Sequence, residues 1–212
     1  MKKRRQTISL SELRALHAEK RSAIQTRLAE FAHVSRDNLF YELAYCLLTP
    51  QSSAVNAGKA VRLLEECNFF GEGVDPEPLL HQKDFYIRFH KTKAKNLLKA
   101  REQFPAIRQH CSNGITSFEL REWLITNVRG LGRKEASHFL RNIGHRNLAI
   151  LDRHILKNLV RVGVLARLPK TLTTKVYLNT ESKFLKFSEK IGIPMDELDL
   201  LFWSMETGEI LK

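Results

Sequence analysis

Residues 127–156, NVRGLGRKEASHFLRNIGHRNLAILDRHIL, contain the pattern that decides the fold. An amphipathic helix leads into Gly130 and Gly132, which flank Leu131, and a second helix begins at about Arg133. This pattern predicts a helix–hairpin–helix in which Leu131 plugs the hairpin into the helices. Glycine permits backbone angles closed to other residues and carries no side chain, so the hairpin amides and the next helix's N-terminus can approach a DNA phosphate. The alternative interpretation is a plain helical connector.

Three basic residues lie at the hairpin. We expect Arg129 and Arg133, together with Gly130 and Gly132, to bind the DNA backbone without reading its sequence. Lys134 has two interpretations: it is either one more phosphate contact or a nucleophile. The second follows because a helix N-terminus and two neighbouring arginines disfavour the protonated form, and a neutral amine is nucleophilic.

A carboxylate follows the hairpin. Residues 148–152 are LAILD, an apolar run that we expect to cross the core and to place Asp152 just before the helix RHILKNLVRVG. One interpretation makes Asp152 the N-cap of that helix, and the other makes it a catalytic carboxylate. The two roles are compatible, because one oxygen can hold the helix amides while the other faces a substrate.

The composition favours a polyanionic partner. The 212 residues include 35 lysines and arginines against 23 aspartates and glutamates, which gives a net charge of +12. Nucleic acid is the leading partner and an anionic membrane surface the second. We expect no membrane span, because no apolar run approaches the roughly 20 residues that cross a bilayer. The basic start MKKRRQTISL lacks the apolar core of a signal peptide, so we expect an intracellular protein.

The cysteines exclude several kinds of site. Cys46, Cys67 and Cys111 match neither a disulfide framework nor a zinc pattern. An iron–sulfur cluster normally takes four cysteine ligands at close spacing, which this chain cannot supply by itself. We therefore expect plain core or half-buried thiols, no iron–sulfur cluster, no metal and no cofactor.

The predicted class is all-α, because no window shows period-two alternation flanked by turn residues. Ser9 followed by Glu12 predicts a capping box for a first helix to about Phe31. A second helix runs from about Arg36 until Pro50 stops it. Further helices are predicted at 52–67, 91–103, 117–128, 133–143, 153–162, 172–191 and 195–206.

The segments GLGRKEASHFLRNIG and LAILDRHIL resemble the helix–hairpin–helix DNA glycosylase superfamily, most closely its small archaeal and bacterial 8-oxoguanine DNA glycosylase/AP lyases. The resemblance extends over most of the chain, through LLTPQSSAVNAGKA and RFHKTKAKNLLKA. It implies a two-lobed fold, with about 36–125 in one lobe, 1–35 plus 126–212 in the other, and the hairpin at 128–133. Other branches usually carry a four-cysteine iron–sulfur loop, whose absence here favours the 8-oxoguanine branch.

The resemblance also implies a reaction. Lys134 is the implied nucleophile and Asp152 its catalytic partner, acting as a monomer on duplex DNA with oxidised guanine, in the cytoplasm or nucleoid of a prokaryote. The target nucleotide must first leave the stack. The lysine then expels the base and leaves a Schiff base, after which β-elimination cuts the strand. The alternatives are a glycosylase for another damaged base and a non-enzymatic helix–hairpin–helix DNA-binding module.

Four further residues are candidates for contact with the flipped nucleotide or the gap that it leaves. Gln51 resembles the superfamily's intercalating residue, with an ordinary helix cap as the alternative. Trp203 falls away from the apolar stripe of the last helix and is expected to stack on the base, unless it is a chance surface tryptophan. Phe89 is a candidate pocket wall, with core as the alternative. Lys212 resembles the C-terminal lysine of the 8-oxoguanine branch and is expected to read the lesion, unless it belongs to a frayed terminus.

Overall fold

The computed structural model describes residues 7–35 and 38–210. Within these ranges the chain forms ten α-helices and one 3₁₀ turn at Pro78–Leu80, and it contains no β-strand beyond an isolated bridge between His81 and Tyr86. The helices are α1 Leu10–Ala32, α2 Leu39–Leu48, α3 Ala54–Glu66, α4 Phe69–Glu72, α5 His90–Ser112, α6 Ser117–Asn127, α7 Arg133–Asn142, α8 Arg153–Arg161, α9 Thr174–Ile191 and α10 Met195–Thr207. The predicted all-α class is confirmed.

Contacts between Cα atoms divide the chain into two units: residues 34–143, and residues up to 33 together with those from 144 onward. The lobes expected from the sequence differ mainly over 126–143, because they grouped this segment, which contains the hairpin and α7, with 1–35 and 144–212. In the structure the hairpin belongs with 34–143, because α7 packs against α2 and α6 within that unit.

The 34–143 unit is organised around α2, which packs against α3, α5 and α7. The ring of Phe40 lies at its centre and is fully buried. The centroid of this ring is 5.8 Å from that of Phe69 and 5.2 Å from that of Phe104. Every residue of α2 from Leu43 to Leu48 is buried, as expected for a helix with neighbours on several sides. This central helix fixes the turn that follows it and the hairpin helix that packs on it.

The other unit joins α1 to the helices that follow residue 144. α10 packs against α1, α8 and α9, and the apolar side chains of all four helices form one core. The expected apolar stripe of α10 is confirmed, with Met195, Leu198, Leu201 and Phe202 buried and Met205 partly buried.

The predicted helix ends are confirmed at the start of α1 and are wrong at the end of α5. Ser9 and Glu12 form the predicted capping box of α1. α5 differs from its prediction, since it was expected to end at 103 but continues through Pro105 to Ser112. Proline removes one backbone hydrogen bond, and burial of the neighbouring side chains, including the fully buried Ile107, offsets that loss.

The short α4 and the 3₁₀ turn were not predicted from the sequence. Both lie in the segment after α3, where glycines and prolines hide any apolar period. Among the described residues, no helix combines the length and apolar character that a membrane span requires.

Candidate active site

The predicted hairpin lies between α6 and α7. Val128 ends α6 as its C-cap, the Leu131 amide donates to the Val128 carbonyl at 3.2 Å, and Gly132 is the N-cap of α7. Leu131 is 5% exposed, which confirms that it plugs the hairpin into the core. Arg129 and Gly130 beside it are exposed. The structure thus anchors the hairpin by its apolar residue and leaves its backbone accessible to a partner.

The two hairpin glycines are required for different reasons. Gly130 has a φ of +96°, and a Cβ there would lie 2.5 Å from the Asn96 amide nitrogen and 3.2 Å from Leu47. Gly132 has a φ of −86°, which any residue adopts, and a Cβ there would meet only the flexible carboxylate of Glu135 at 2.8 Å. The expectation that both glycines supply unusual backbone angles is therefore wrong for Gly132.

Lys134 lies in the first turn of α7 with its side chain 28% exposed. Its Nζ is 3.2 Å from Glu135 Oε1, so the surroundings include a carboxylate as well as the arginines expected from the sequence. Arg133 donates through both Nη atoms to Glu122 on α6. That guanidinium lowers the pKa of the Glu122 carboxyl. Neither carboxylate was predicted from the sequence, although each belongs to a helix that the hairpin pattern predicted.

Asp152 is the N-cap of α8, as one of its two interpretations required. Its Oδ1 accepts hydrogen bonds from the amides of His154 and Ile155, both at 2.8 Å. The side chain is half-buried. A carboxylate has two oxygens with about four lone-pair sites, so this cap leaves Oδ2 with acceptor capacity.

The apolar run before Asp152 is buried, as predicted, and side chains of α9 pair with some of its backbone polar groups. The Ala149 amide donates to Glu181 Oε1 at 2.9 Å, and the Ala149 carbonyl accepts from the Tyr177 hydroxyl at 2.5 Å. A buried segment outside helices and strands needs such partners, because an unpaired buried amide is costly. Two polar side chains of α9 therefore hold in place the segment that ends at Asp152.

Gln51 lies in a tight turn between α2 and α3. The Ser52 amide donates to the Thr49 carbonyl at 3.0 Å, and Gln51 is exposed with a φ of +56°. The N-cap of α3 is Ser53, whose side chain accepts from the Asn56 amide, so the interpretation of Gln51 as a helix cap is wrong. Its role as an intercalating residue stays a prediction.

Lys93 supports this turn from α5 and was not identified from the sequence. The side chain is buried, and its Nζ donates to the Leu48 carbonyl at 2.7 Å, the Pro50 carbonyl at 2.6 Å and Ser52 Oγ at 3.2 Å. Burial lowers its pKa to about 8, which Glu135 opposes and Lys134 reinforces. The signal in the sequence that could have identified Lys93 is its position on the face of α5 that carries the small and apolar residues.

Phe89 precedes α5 and is 49% exposed, so it is not the core residue of the alternative interpretation. Its φ is +60°, an uncommon conformation for an aromatic residue, and the Arg88 guanidinium lies 4.9 Å from its ring centroid. The Arg88 amide donates to Ser52 Oγ at 3.0 Å, which ties this segment to the turn that contains Gln51.

Trp203 is half-buried on α10, with its ring centroid 6.2 Å from that of His154 in an edge-on arrangement. One turn further on, Glu206 pairs with Lys157 and, at 3.1 Å, with Arg161. Burial raises the pKa of Glu206, but these cations more than reverse the shift, so its pKa is lowered.

The polar face on which the sequence placed Trp203 is not a solvent face. The acidic residues of the first two turns of α10 are buried, including Asp196, which accepts from the Asn147 amide at 3.1 Å. Helical periodicity missed their burial because their partners come from distant segments.

The candidates divide between the two units. The hairpin, Lys134, Gln51 and Phe89 belong to 34–143, while Asp152 and Trp203 belong to the other unit. Lys212 lies outside the described residues. Cys46 is buried and the other two cysteines are half-buried, all three as free thiols.

Comparison with known proteins gives one consistent family. A family model described as 8-oxoguanine DNA glycosylase matches residues 24–193. A relative from Fusobacterium nucleatum subsp. nucleatum, named 8-oxoguanine DNA glycosylase/AP lyase, is 41% identical over 95% of this chain and 97% of its own. A relative of the same name from Methanocaldococcus jannaschii is 34% identical over 92% of this chain and 95% of its own.

Two solved structures have the same fold. The Methanocaldococcus jannaschii 8-oxoguanine glycosylase/lyase in complex with a 15mer DNA containing 8-oxoguanine matches with a TM-score of 0.84 and 31% identity, over 96% of this chain and 99% of that one. The 8-oxoguanine DNA glycosylase of Thermotoga maritima matches with a TM-score of 0.80 and 29% identity, over 96% of this chain and 98% of that one.

Proposed function

Since the chain belongs to the 8-oxoguanine DNA glycosylase family, we propose that it removes 8-oxoguanine from duplex DNA and then cuts the strand, with Lys134 as nucleophile and Asp152 as its catalytic partner. The observation that carries this assignment is the position of Lys134, partly exposed in the first turn of α7 directly after the glycine hairpin. The active species is a monomer bound to double-stranded DNA inside the cell.

The hairpin binds the DNA backbone next to the damaged nucleotide. Gly130 and Gly132 are exposed, so phosphate oxygens can approach the hairpin backbone and the N-terminus of α7, where unpaired helix amides carry partial positive charge. Arg129 is exposed and adds a cation. Arg133 approaches DNA with its guanidinium already oriented by Glu122. These contacts read no sequence and hold Lys134 beside the backbone.

Base excision begins with the neutral amine of Lys134. Its Nζ forms a bond to C1′ of the flipped nucleotide while the C1′–N9 bond breaks, and the base leaves with that electron pair and takes up a proton. Asp152 accepts the proton of the attacking amine or stabilises the positive charge that develops on the sugar. The cap leaves its Oδ2 available for either task, because Oδ1 holds the α8 amides.

Strand cutting follows from the covalent intermediate. Opening of the sugar ring converts the C1′ adduct into a protonated Schiff base between C1′ and Nζ. Loss of a proton from C2′ then breaks the bond between C3′ and its oxygen, and the 3′ phosphate leaves with the electron pair. Water finally hydrolyses the Schiff base and frees Lys134. The lysine therefore serves both steps, whereas a purely hydrolytic glycosylase needs only a carboxylate and water.

Recognition of the lesion involves the remaining candidates. Gln51 enters the duplex and contacts the base left without a partner, while Trp203 and Phe89 provide aromatic surface for the flipped base. Lys212 reads the edge of the lesion, at which 8-oxoguanine has an N7–H donor where guanine has an acceptor. Exposure of Gln51 and Phe89 supports these roles, since a core residue could not reach DNA.

Borohydride trapping tests the assignment of Lys134. Borohydride reduces a Schiff base to a stable amine, so the wild-type protein should become linked to a duplex that contains 8-oxoguanine. Lys134→Gln should give no link while its affinity for the duplex stays nearly unchanged. Lys183→Gln, at an exposed position on α9, is the matched control and should trap like the wild type.

The same assay separates chemistry from recognition. A variant without Lys212 should trap poorly on 8-oxoguanine, by about tenfold, yet normally on a preformed abasic site, which has no base to read. Undiminished trapping by Lys134→Gln would refute the nucleophile assignment, and equal losses on the two substrates would refute lesion reading by Lys212.

A further inference from the structure

We propose that Lys93 is a positioning residue that holds the Thr49–Ser52 turn in the conformation that presents Gln51 to DNA. This inference rests on the proposed role of Gln51. Lys93 itself is buried and touches no substrate. It acts through three hydrogen bonds to the turn and to the end of α2.

The turn has the pattern of a type II β-turn. The Thr49 carbonyl accepts from the Ser52 amide, Pro50 is the second residue, and Gln51, the third, has a φ of +56°. That third position strongly favours glycine or asparagine, because a positive φ brings Cβ close to the backbone. Glutamine at this position lowers the population of the turn by on the order of a fewfold to a hundredfold, so another contact must stabilise the turn.

The Lys93 ammonium provides that support. Type I and type II turns differ in the direction of the peptide between their second and third residues, and here that peptide's carbonyl belongs to Pro50. Lys93 Nζ binds the Pro50 carbonyl at 2.6 Å and the Leu48 carbonyl at 2.7 Å. A charged donor on the Pro50 carbonyl favours the peptide orientation that requires a positive φ at Gln51.

Burial of this ammonium points to the same role. A lysine is rarely buried unless it is paired, because desolvation of its charge is costly. The hydrogen-bond partners of Lys93 are two backbone carbonyls and the Ser52 hydroxyl, so its three donors all serve the segment 48–52. A residue needed only to fill the core could be apolar at lower cost.

The same face of α5 also lies close to the hairpin. Asn96 lies one turn after Lys93 and is buried, and its amide nitrogen is the atom that a Cβ on Gly130 would meet at 2.5 Å. The carboxylate of Glu135, beside Lys134, is close enough to raise the pKa of Lys93 against the effect of burial. One face of α5 therefore carries Lys93, which binds the Gln51 turn, and Asn96, which leaves no room for a side chain at Gly130.

The test compares two duplexes under single-turnover conditions. In one, 8-oxoguanine lies opposite cytosine. In the other it lies opposite an abasic analogue, so no orphaned base is available for Gln51 to contact. Lys93→Met should slow excision about tenfold on the first duplex and change it less than about twofold on the second. Lys95→Met, which removes an exposed charge from the same helix, should affect the two duplexes equally.

A double-mutant cycle shows whether Lys93 acts through Gln51. In the Gln51→Ala background, Lys93→Met should have almost no further effect, because interacting residues are not additive. In the Gln51→Asn background its effect should also shrink, since asparagine tolerates a positive φ. If Lys93→Met does not fold, Ser52→Ala, which removes one of the three acceptors, replaces it in the same cycle.

Several results would overturn the proposal. These are equal losses on the two duplexes, additive effects of Lys93→Met and Gln51→Ala, or a Gln51→Ala variant with normal excision. A wild-type protein that leaves both duplexes intact would instead refute the proposed function. In that case the ¹³C shifts of Gln51 in the free protein still decide the point: Lys93→Met should abolish the left-handed signature seen in the wild type, and an unchanged signature overturns the proposal.

Discussion

The helices α7 and α8 begin with nearly the same backbone and opposite chemistry. The N-cap of α7 is Gly132, with φ −86° and ψ 178°, and the N-cap of α8 is Asp152, with φ −90° and ψ −178°. Gly132 makes no side-chain cap, whereas Asp152 accepts from two amides with one carboxylate oxygen. The backbone conformation is nearly the same at the two N-caps, so the difference between the two helix starts lies in the side chain of the N-cap residue.

The presence or absence of a capping side chain determines which ligand each helix start can accept. Without a side chain, the start of α7 leaves its amides available to an external anion such as a phosphate. At α8 the carboxylate satisfies two amides internally and is held there as a fixed negative group. One helix start is suited to binding an anion such as a DNA phosphate, and the other fixes in place the carboxylate for which we propose a catalytic role.

The largest expected effect comes from removing the charge at α8 while keeping the cap. Asp152→Asn should slow base excision about 10²- to 10⁴-fold, the usual contribution of a positioned acid or base. Asparagine caps helices as well as aspartate does, so the melting temperature and the affinity for damaged duplex should hardly change. Single-turnover excision, thermal unfolding and DNA titration measure the three quantities.

Asp152→Ser is the matched control for this change, since a serine hydroxyl also caps the helix but cannot act as a carboxylate. It should be as inactive as Asp152→Asn. If both variants excise normally per folded molecule, Asp152 is only a cap and the contrast between the two helix starts has no catalytic meaning.

The next largest effect is on stability, and it differs between the two glycines of the hairpin. Gly130→Ala should lower the free energy of unfolding by about 1–3 kcal/mol, because it combines a positive φ with a contact to Asn96. Gly132→Ala should cost less than about 1 kcal/mol, since its φ is ordinary and only a flexible carboxylate must move. Urea unfolding of both variants tests this order, which the reverse result would contradict.

The smallest expected effect comes from a substitution that makes the start of α7 resemble that of α8. Gly132→Asp should cap α7 and place a carboxylate where the hairpin is proposed to meet phosphate, which should weaken binding to undamaged duplex about tenfold at low salt. Gly132→Asn adds the same cap without the charge and should weaken binding less. Equal affinities for the two variants would show that no phosphate approaches Gly132.

Local pattern was sufficient to predict most of the helices and both helix starts. The capping box at Ser9, the plug at Leu131 and the cap at Asp152 each depend on residues within a few positions of one another, so the sequence carries the whole signal. The course of residues 148–151 through the core followed from their apolar character in the same way.

Features that depend on distant partners could not be predicted. Lys93 reaches carbonyls more than 40 positions earlier in the chain, and the carboxylate of Asp196 is buried because the Asn147 amide, 49 positions away, donates to it. Pro105 stopped α5 in the prediction because the benefit of continuing, the burial of Ile107, depends on tertiary packing.

The unit that contains Asp152 is built from two stretches far apart in the chain. α1 packs on α10, and His17 and Glu197 are hydrogen-bonded at 2.5 Å across 180 positions. Closing so long a loop costs chain entropy before any contact forms, and contacts of this range slow folding. During synthesis α1 leaves the ribosome long before α10 exists, whereas all the contacts of the 34–143 unit lie within one continuous segment. The segment that contains Lys134 can therefore fold before the ribosome has synthesised α10, which the unit with Asp152 requires.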